Sequence, residues 1–171
     1  MATSTQIRRI TLTALMAAVI FVLTVVPRIP VPATGGYIHL GDAGIAFAAC
    51  SFDPLVAAVA GGLGTALADL MGFPQWAIFS LVIHGGQGYV MGLLLRRRVT
   101  WKQAVLAALS SIVVVVGGYF VAGTILESPA VALLEIVPNT IQALSGAVIG
   151  LPLYLAVRKA YPALDAYAPH D

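Results

Sequence analysis

Two runs of polar side chains interrupt otherwise apolar sequence at the spacing of a single helix face. Ser80, His84 and Gln87 stand at i, i+4 and i+7, and Glu135, Asn139 and Gln142 repeat the pattern, so each trio projects from one side of its helix. A third group, Tyr37, His39 and Asp42, follows a segment containing Pro27, Pro30, Pro32 and Gly35-Gly36, a stiffened loop able to turn sharply. These side chains suit recognition of ring nitrogens and hydroxyls on a small molecule. If the two trios converge, Trp76 and Tyr119 supply aromatic walls. A largely apolar pocket with a few directed polar groups is the form a small-molecule site takes. Plainer readings stand beside this one. A lone helical histidine is usually a satisfied core residue. Asp42 directly precedes a helix and reads as its N-cap, a role compatible with ligand contact. Asp69 caps, pairs with Arg28 or lines the site, and Glu127 reads as solvated loop. Pro138 removes a backbone donor and frees a carbonyl between Glu135 and Gln142.

Other chemistries lack their residues. The sequence has no phosphate-binding Walker A run, no H-E-x-x-H pair and no Cys/His cluster, so neither a metal nor a cofactor is expected. Ser80 and His84 share a helix face without a nucleophile-elbow context, which argues against a hydrolase. ATP hydrolysis has no visible machinery, so any energised step draws on an ion gradient or another subunit. The single cysteine, Cys50, cannot form an intrachain disulfide and reads as packing.

The elements that must hold these residues lie in lipid. Hydrophobic residues are 60% of the 171-residue chain and charged residues 9%, with a mean hydropathy of +0.96. A soluble domain carries roughly 25% charged residues, because water must solvate its exterior. Here the long neutral runs fit a chain surrounded by a bilayer. No basic stripe with interleaved aromatics points to nucleic acid. Arg8 and Arg9 precede the apolar stretch Ile10 to Val26 in the manner of a signal peptide, but no small-x-small cleavage site follows, and the stretch reads as a retained first helix.

Apolar blocks cover 10–26, 43–71, 76–95, 103–126 and 130–157, and Asp53-Pro54 falls within the second. Proline and the residue before it disfavour continuous helix, so this block is either one long helix or two shorter ones. Charge selects between them, because basic residues in short loops stay on the cytoplasmic side. With a turn at Asp53-Pro54, the N-terminus, the Arg96–Lys102 loop and Arg158-Lys159 share one side, and of the nine basic residues only Arg28 is external. The expected fold is therefore an all-α membrane protein, a single compact bundle of six transmembrane helices with both termini cytoplasmic. Its approximate helices are 10–26, 43–53, 54–71, 76–95, 103–126 and 130–157. The second is too short to cross alone and must pack among its neighbours. Small residues crowd Ala57–Ala68, and Gly88-x-x-x-Gly92 marks the fourth helix, so backbones can approach closely.

The ordered set of motifs resembles the substrate-binding S components of energy-coupling factor (ECF) vitamin transporters. It runs from an alanine-rich first helix through Gly36-Tyr-Ile-His-Leu-Gly-Asp42, Pro54…Gly61-Gly-Leu-Gly64…Asp69 and His84-Gly-Gly-Gln-Gly88. It ends with Gly118-Tyr-Phe and Glu135-Ile-Val-Pro-Asn139-Thr-Ile-Gln142…Gly150-Leu-Pro152. The likeness is to the branch carrying hydroxymethylpyrimidine, pyridoxine and related precursors, with riboflavin carriers more distant.

The resemblance implies a multi-pass protein of the prokaryotic cytoplasmic membrane that binds a vitamin or precursor near the outer surface. It also implies docking, through Ala14 and Ala18, onto a transmembrane coupling subunit that carries two ATPase subunits, with the first external loop as a lid. Tyr37, His39, Asp42, Trp76, His84, Gln87, Tyr119, Glu135, Asn139 and Gln142 are the expected ligand-binding residues. Without an outward basic cluster, a neutral or weakly charged heteroaromatic ligand fits better than a phosphorylated one. Three rival readings are a stand-alone proton-coupled transporter using Asp69, His84 or Glu135, a membrane enzyme, and an assembly subunit without a ligand.

Overall fold

The computed structural model describes residues 3–95 and 99–167; Arg96, Arg97 and Arg98, expected in a cytoplasmic loop, lie outside the described residues. Helix α1 (Ser4–Val25) opens on a capping box, in which the Thr3 side chain accepts from the Gln6 N–H and the Gln6 side chain returns to the Thr3 N–H. This satisfies two donors that every helix start leaves open. A short antiparallel hairpin follows, β1 (Ile29–Val31) and β2 (Gly36–Ile38), with Pro30 opposite Tyr37. Its turn passes through Gly35 at φ +73°, a backbone conformation that favours glycine.

Helix α2 (Gly41–Ser51) runs into the bundle and α3 (Pro54–Leu70) runs out. Between them Asp53 caps α3 by accepting from the Leu55 N–H, with Pro54 at the first helical position. The dipeptide that reads as a break is thus a helix start, where proline's missing donor is not needed. A 3₁₀ turn (Pro74–Trp76) leads into α4 (Ala77–Leu95). Then come α5 (Trp101–Leu126), α6 (Pro129–Leu134), α7 (Ile136–Ala160) and a closing 3₁₀ segment (Pro162–Tyr167). The segment expected as one helix over 130–157 is therefore two, meeting at Glu135. Pro138 falls in the first turn of α7, where no intrahelical donor is lost, and the proline inside that helix is Pro152.

Among the described residues, four units are long and apolar enough to cross a membrane: α1, Pro74–Leu95, α5 and α7; α3 is a shorter apolar helix. The outward faces of α5 carry Val105, Leu109, Val113, Val121 and Ile125, as a lipid-facing surface requires. Eleven residues make α2 only about 16 Å long, against a hydrocarbon core of about 30 Å. Every residue of it except Phe47 is buried, enclosed by α1, α3, α4 and α7.

Glycine makes this enclosure possible. A β-carbon at Gly150 of α7 would meet the Ala43 carbonyl, and one at Gly88 of α4 would meet Ala57 of α3. The start of α1 and the closing 3₁₀ segment reach the same end of the bundle. There Arg9 pairs with Asp53 at 2.8 Å, Arg8 donates to the Ala166 carbonyl, and Arg158 bridges to Asp165 at 2.7 Å. The hairpin lies at the opposite end.

Close packing is checkable by contrast. Gly88→Val should destabilise the protein by about 1–3 kcal/mol or more, because it forces α4 away from the α3 backbone. Gly117→Ala on α5, with open space around it, should leave the midpoint unchanged or higher. Thermal unfolding in detergent compares the two directly.

Candidate functional site

The hairpin roofs a cavity of about 240 Å³ at its end of the bundle. Thr34, Gly35, Gly36, Tyr37 and His39 line it from the lid, and Asp69, Phe73, Gln75 and Trp76 from the end of α3 and the turn into α4. Tyr119, Gly123 and Glu127 come from α5, and Val131, Ala132, Glu135, Asn139 and Gln142 from α6 and α7. A chain of aromatic rings borders it and passes beneath it at His84: Phe73, Tyr37, His39, His84, Tyr119 and Trp76 follow one another at centroid spacings of 5.1, 5.6, 5.6, 5.7 and 5.9 Å, within the range of favourable ring contacts.

The lid is held by a short chain of polar contacts. The Tyr37 hydroxyl donates to Asp69 Oδ1 at 2.8 Å. The Arg28 guanidinium sits 4.4 Å above the Tyr37 ring while donating to the Thr24 and Ala68 carbonyls. Burial and the neighbouring Asp69 carboxylate push the Tyr37 phenol well above its ordinary range, so it remains a donor. Asp69 thus lines the cavity, and its carboxylate meets Tyr37 rather than Arg28.

Beneath the cavity lies a polar network, buried except where Tyr119 reaches the cavity wall. Gln87 Nε2 donates to Asp42 Oδ2 at 2.9 Å and to Ser111 Oγ at 2.8 Å. Gln87 Oε1 is therefore left to accept from His84 Nδ1 at 2.8 Å, which puts the His84 proton on Nδ1. Its Nε2 then accepts from the Tyr119 hydroxyl at 3.1 Å, and Tyr119 accepts from Ser80 at 2.6 Å. Gln142 Nε2 donates to Asp42 Oδ1 at 3.4 Å, and Gln142 Oε1 takes the His39 backbone N–H at 3.2 Å. His39, Asp42 and His84 stand close enough together to invite a metal. However, His39 Nδ1 accepts the Gly41 N–H, and the other two are spoken for within the network.

The expected residues therefore divide. Tyr37, His39, Trp76, Tyr119, Glu135, Asn139 and Gln142 line the cavity, whereas Asp42, His84 and Gln87 lie below it and hold its floor. Asp42 is not the N-cap of α2, which has no side-chain cap; a buried carboxylate ringed by amide and imidazole donors gains more inward than at a helix end. Glu127 is exposed in the turn after α5, as expected, and also borders the cavity. Phe73, Gln75 and Thr34 carry no sequence motif, although their position in loops between apolar blocks is the kind that carries binding residues.

Two measurements probe this arrangement. Gln87→Leu strips partners from Asp42, Ser111 and His84 together and should cost about 1–3 kcal/mol or more of stability, seen as a lowered unfolding midpoint. His39 gives a pH signature. Burial, with His84 and Arg28 nearby, lowers its imidazole well below the usual histidine range, while in the unfolded chain it protonates near about 6.5. Its contribution is intact above that pH and is lost on acidification below it. Unfolding midpoints followed from about pH 7.5 down to about pH 5 should fall more for the native chain than for His39→Gln.

The ECF-type riboflavin transporter S component family matches residues 4–159 of the chain. The chain is 39% identical over 146 residues to the thiamine precursor transporter HmpT of Lactococcus lactis subsp. cremoris (strain MG1363), covering 84% of each chain. It is 38% identical over 145 residues to a Pyrococcus woesei protein described as "Uncharacterized protein in gap 3'region", covering 84% of this chain and 98% of the relative. The crystal structure of the S component for biotin from an ECF-type ABC transporter superposes with a TM-score of 0.63 at 18% identity, over 99% of this chain and 100% of that one. This last likeness speaks for the fold alone. A roofed cavity on a bundle of apolar helices, matched by this family along nearly its whole length, identifies the chain as a member of the ECF-type riboflavin transporter S component family, a membrane-embedded substrate-binding subunit for vitamin uptake and not an enzyme.

Proposed function

We propose that this subunit captures a single-ring heteroaromatic vitamin precursor beneath the β1–β2 lid, at the outer face of a prokaryotic cytoplasmic membrane. The observation that carries this reading is the roofed cavity itself, about 240 Å³ with Trp76 and Tyr119 as aromatic walls. Drug-sized ligands occupy roughly 300–1,000 Å³, so the volume favours one ring over the three fused rings of a flavin. The 39% identity to a thiamine precursor transporter supports the same choice. Tyr37, His39, Trp76, Tyr119, Glu135, Asn139 and Gln142 are the contacting residues in this reading. Asp42, His84 and Gln87 keep Tyr119 and Gln142 in place from below.

In the bilayer, α1, α2, α3, α4, α5 and α7 form the six crossings of one domain, with α2 shielded by its neighbours. The ion-paired end, where α1 begins and the closing 3₁₀ segment lies, faces the cytoplasm, in accord with Arg8, Arg9 and Arg158 gathered there. Uptake is completed by a transmembrane coupling subunit and two ATPase subunits. Ala14 and Ala18 are exposed on α1, on the side away from buried Met16, Ala17 and Ile20, and offer a flat surface for a partner helix.

Native mass spectrometry of detergent-purified protein, with thermal shift against a panel of vitamins and precursors, tests the ligand class. A retained pyrimidine- or pyridine-sized compound with a raised midpoint is the expected result, and retention of nothing from the panel would sink the reading. For the partner, Ala14→Trp or Ala18→Trp should abolish co-purification with the coupling subunit while ligand binding persists. Intact transport by both variants would place the docking surface elsewhere.

A further inference from the structure

Beyond ligand capture, we propose that the base of the lid is itself a lipid-contacting surface. Ile29 of β1, with Val26 and Met71 beside it, rests against phospholipid acyl chains at the outer boundary of the bilayer.

An apolar stripe leads up to this patch on each of two helices. Leu15, Val19, Val22 and Val26 are exposed along α1, and Val59, Leu63, Leu67 and Leu70 along α3, each set at the spacing of a single helix face. Helical geometry continues through Val26, whose N–H donates to the Val22 carbonyl. Ile29 and Met71 stand just past the upper ends of the two stripes, 62% and 67% exposed. Arg28 ties those ends together, donating to the Thr24 carbonyl of α1 and the Ala68 carbonyl of α3. The apolar surface of the helices is therefore continuous with that of the strand, and what covers the first covers the second.

Depth agrees with this. Arg8 and Arg9 mark the inner boundary, and the 17 residues from Ile10 to Val26 rise roughly 25 Å. The hydrocarbon core is about 30 Å thick. Val26 thus ends inside it and Ile29 falls at its outer limit, where apolar side chains settle into the headgroup–acyl boundary.

The backbone is suited to the same contact. Lipid cannot satisfy a free N–H, and proline stands at three of the six positions from Pro27 to Pro32, removing three donors. Of the other three, the Arg28 N–H donates to the Val26 carbonyl, while Ile29 and Val31 belong to the strand paired with Ile38 and Gly36. Arg28 is the one charged side chain of the segment, and it turns inward beneath the Tyr37 ring. Edge strands in water are commonly guarded by charged side chains. Here the exposed positions are Ile29, Pro30 and Pro32, all apolar. The lid is thus moored in lipid at its base, while its turn reaches across the cavity to bring Gly36 against Glu135. Mooring of this kind needs only that α1 and α3 border lipid, and it is independent of what the cavity binds.

Photo-crosslinking in phosphatidylcholine nanodiscs tests it. Benzoylphenylalanine is placed singly at Ile29, at Met71, at Ala33 in the exposed lid turn, and at Val113, mid-way along the outward face of α5. Intact mass spectrometry after illumination then reads what each position has captured. Ile29 and Met71 should gain the mass of one phosphatidylcholine, as Val113 does, at a yield at least about twofold above Ala33, the contrast between a buried and a solvated interfacial position. Ile29 is exposed, so the thermal midpoint of its variant should stay close to native. Should that variant fold poorly, the same residue placed at Val26 reads the patch from α1. Lipid capture at Val113 but not at the lid base overturns the mooring and leaves the membrane bundle standing. A crosslinked dimer at Ile29 assigns the patch to a second copy and overturns it too. No capture at either place takes the bilayer reading with it.

Discussion

A carboxylate held in the middle of an apolar bundle is the constraint around which this molecule is organised. Asp42 is 1% exposed and sits one residue into a helix too short to span a bilayer. Lipid offers its oxygens nothing, so every partner must come from protein. Gln87 on α4 and Gln142 on α7 supply the donors, and His84 approaches to 3.6 Å. These bonds fix α2 against two of its neighbours at once. They also require the neighbours to come very close, which is why a side chain at Gly146 of α7 would collide with Asp42 itself. Polar satisfaction and glycine packing are in this sense one requirement seen from two sides.

The network is also what gives the cavity its shape. Tyr119 is a wall of the cavity and, through its hydroxyl, a member of the chain from Ser80 to His84 and Gln87. Gln142 is likewise shared, reaching up to the lid backbone at His39 and down to Asp42. Side chains locked from below present fixed faces above, so little rotamer freedom remains to be lost when a ligand settles against them.

Periodicity made much of this legible before any coordinates. Ser80, His84 and Gln87 lie on α4 as expected, Asn139 and Gln142 lie on α7 with Glu135 at the break before it, and Asp53-Pro54 divides α2 from α3 because an N-cap followed by proline is a local signal that tertiary context had no cause to override. Roles were harder to read than positions. Spacing says that His84 and Gln87 share a face with Ser80, but how far that face lies below the cavity depends on where α2 sits, and no local pattern encodes that. Asp42 misled for the same reason. At a helix start the sequence offers a cap, and only the approach of α4 and α7 turns its side chain inward. The division at Glu135 was hidden because both sides of it are apolar and helical, with Pro138 drawing attention three residues too late. The hairpin was obscured by its prolines, which suggested an irregular loop and not a two-stranded lid.

The chain also contains its own spectroscopic pair. It has two tryptophans. Trp76 stands in the cavity wall beside Tyr119, whereas Trp101 begins α5 and is 73% exposed. With α5 running Trp101–Leu126 towards the cavity, the two indoles are separated by roughly 35–40 Å of helix. A ring stacking on Trp76 changes one emitter while the other stays as an internal reference. The lone cysteine, Cys50, is buried in α2, so a thiol dye placed by substitution on the lid would report without a competing label. Occupancy and lid position can thus be followed in the same molecule by intrinsic emission and by a single added fluorophore.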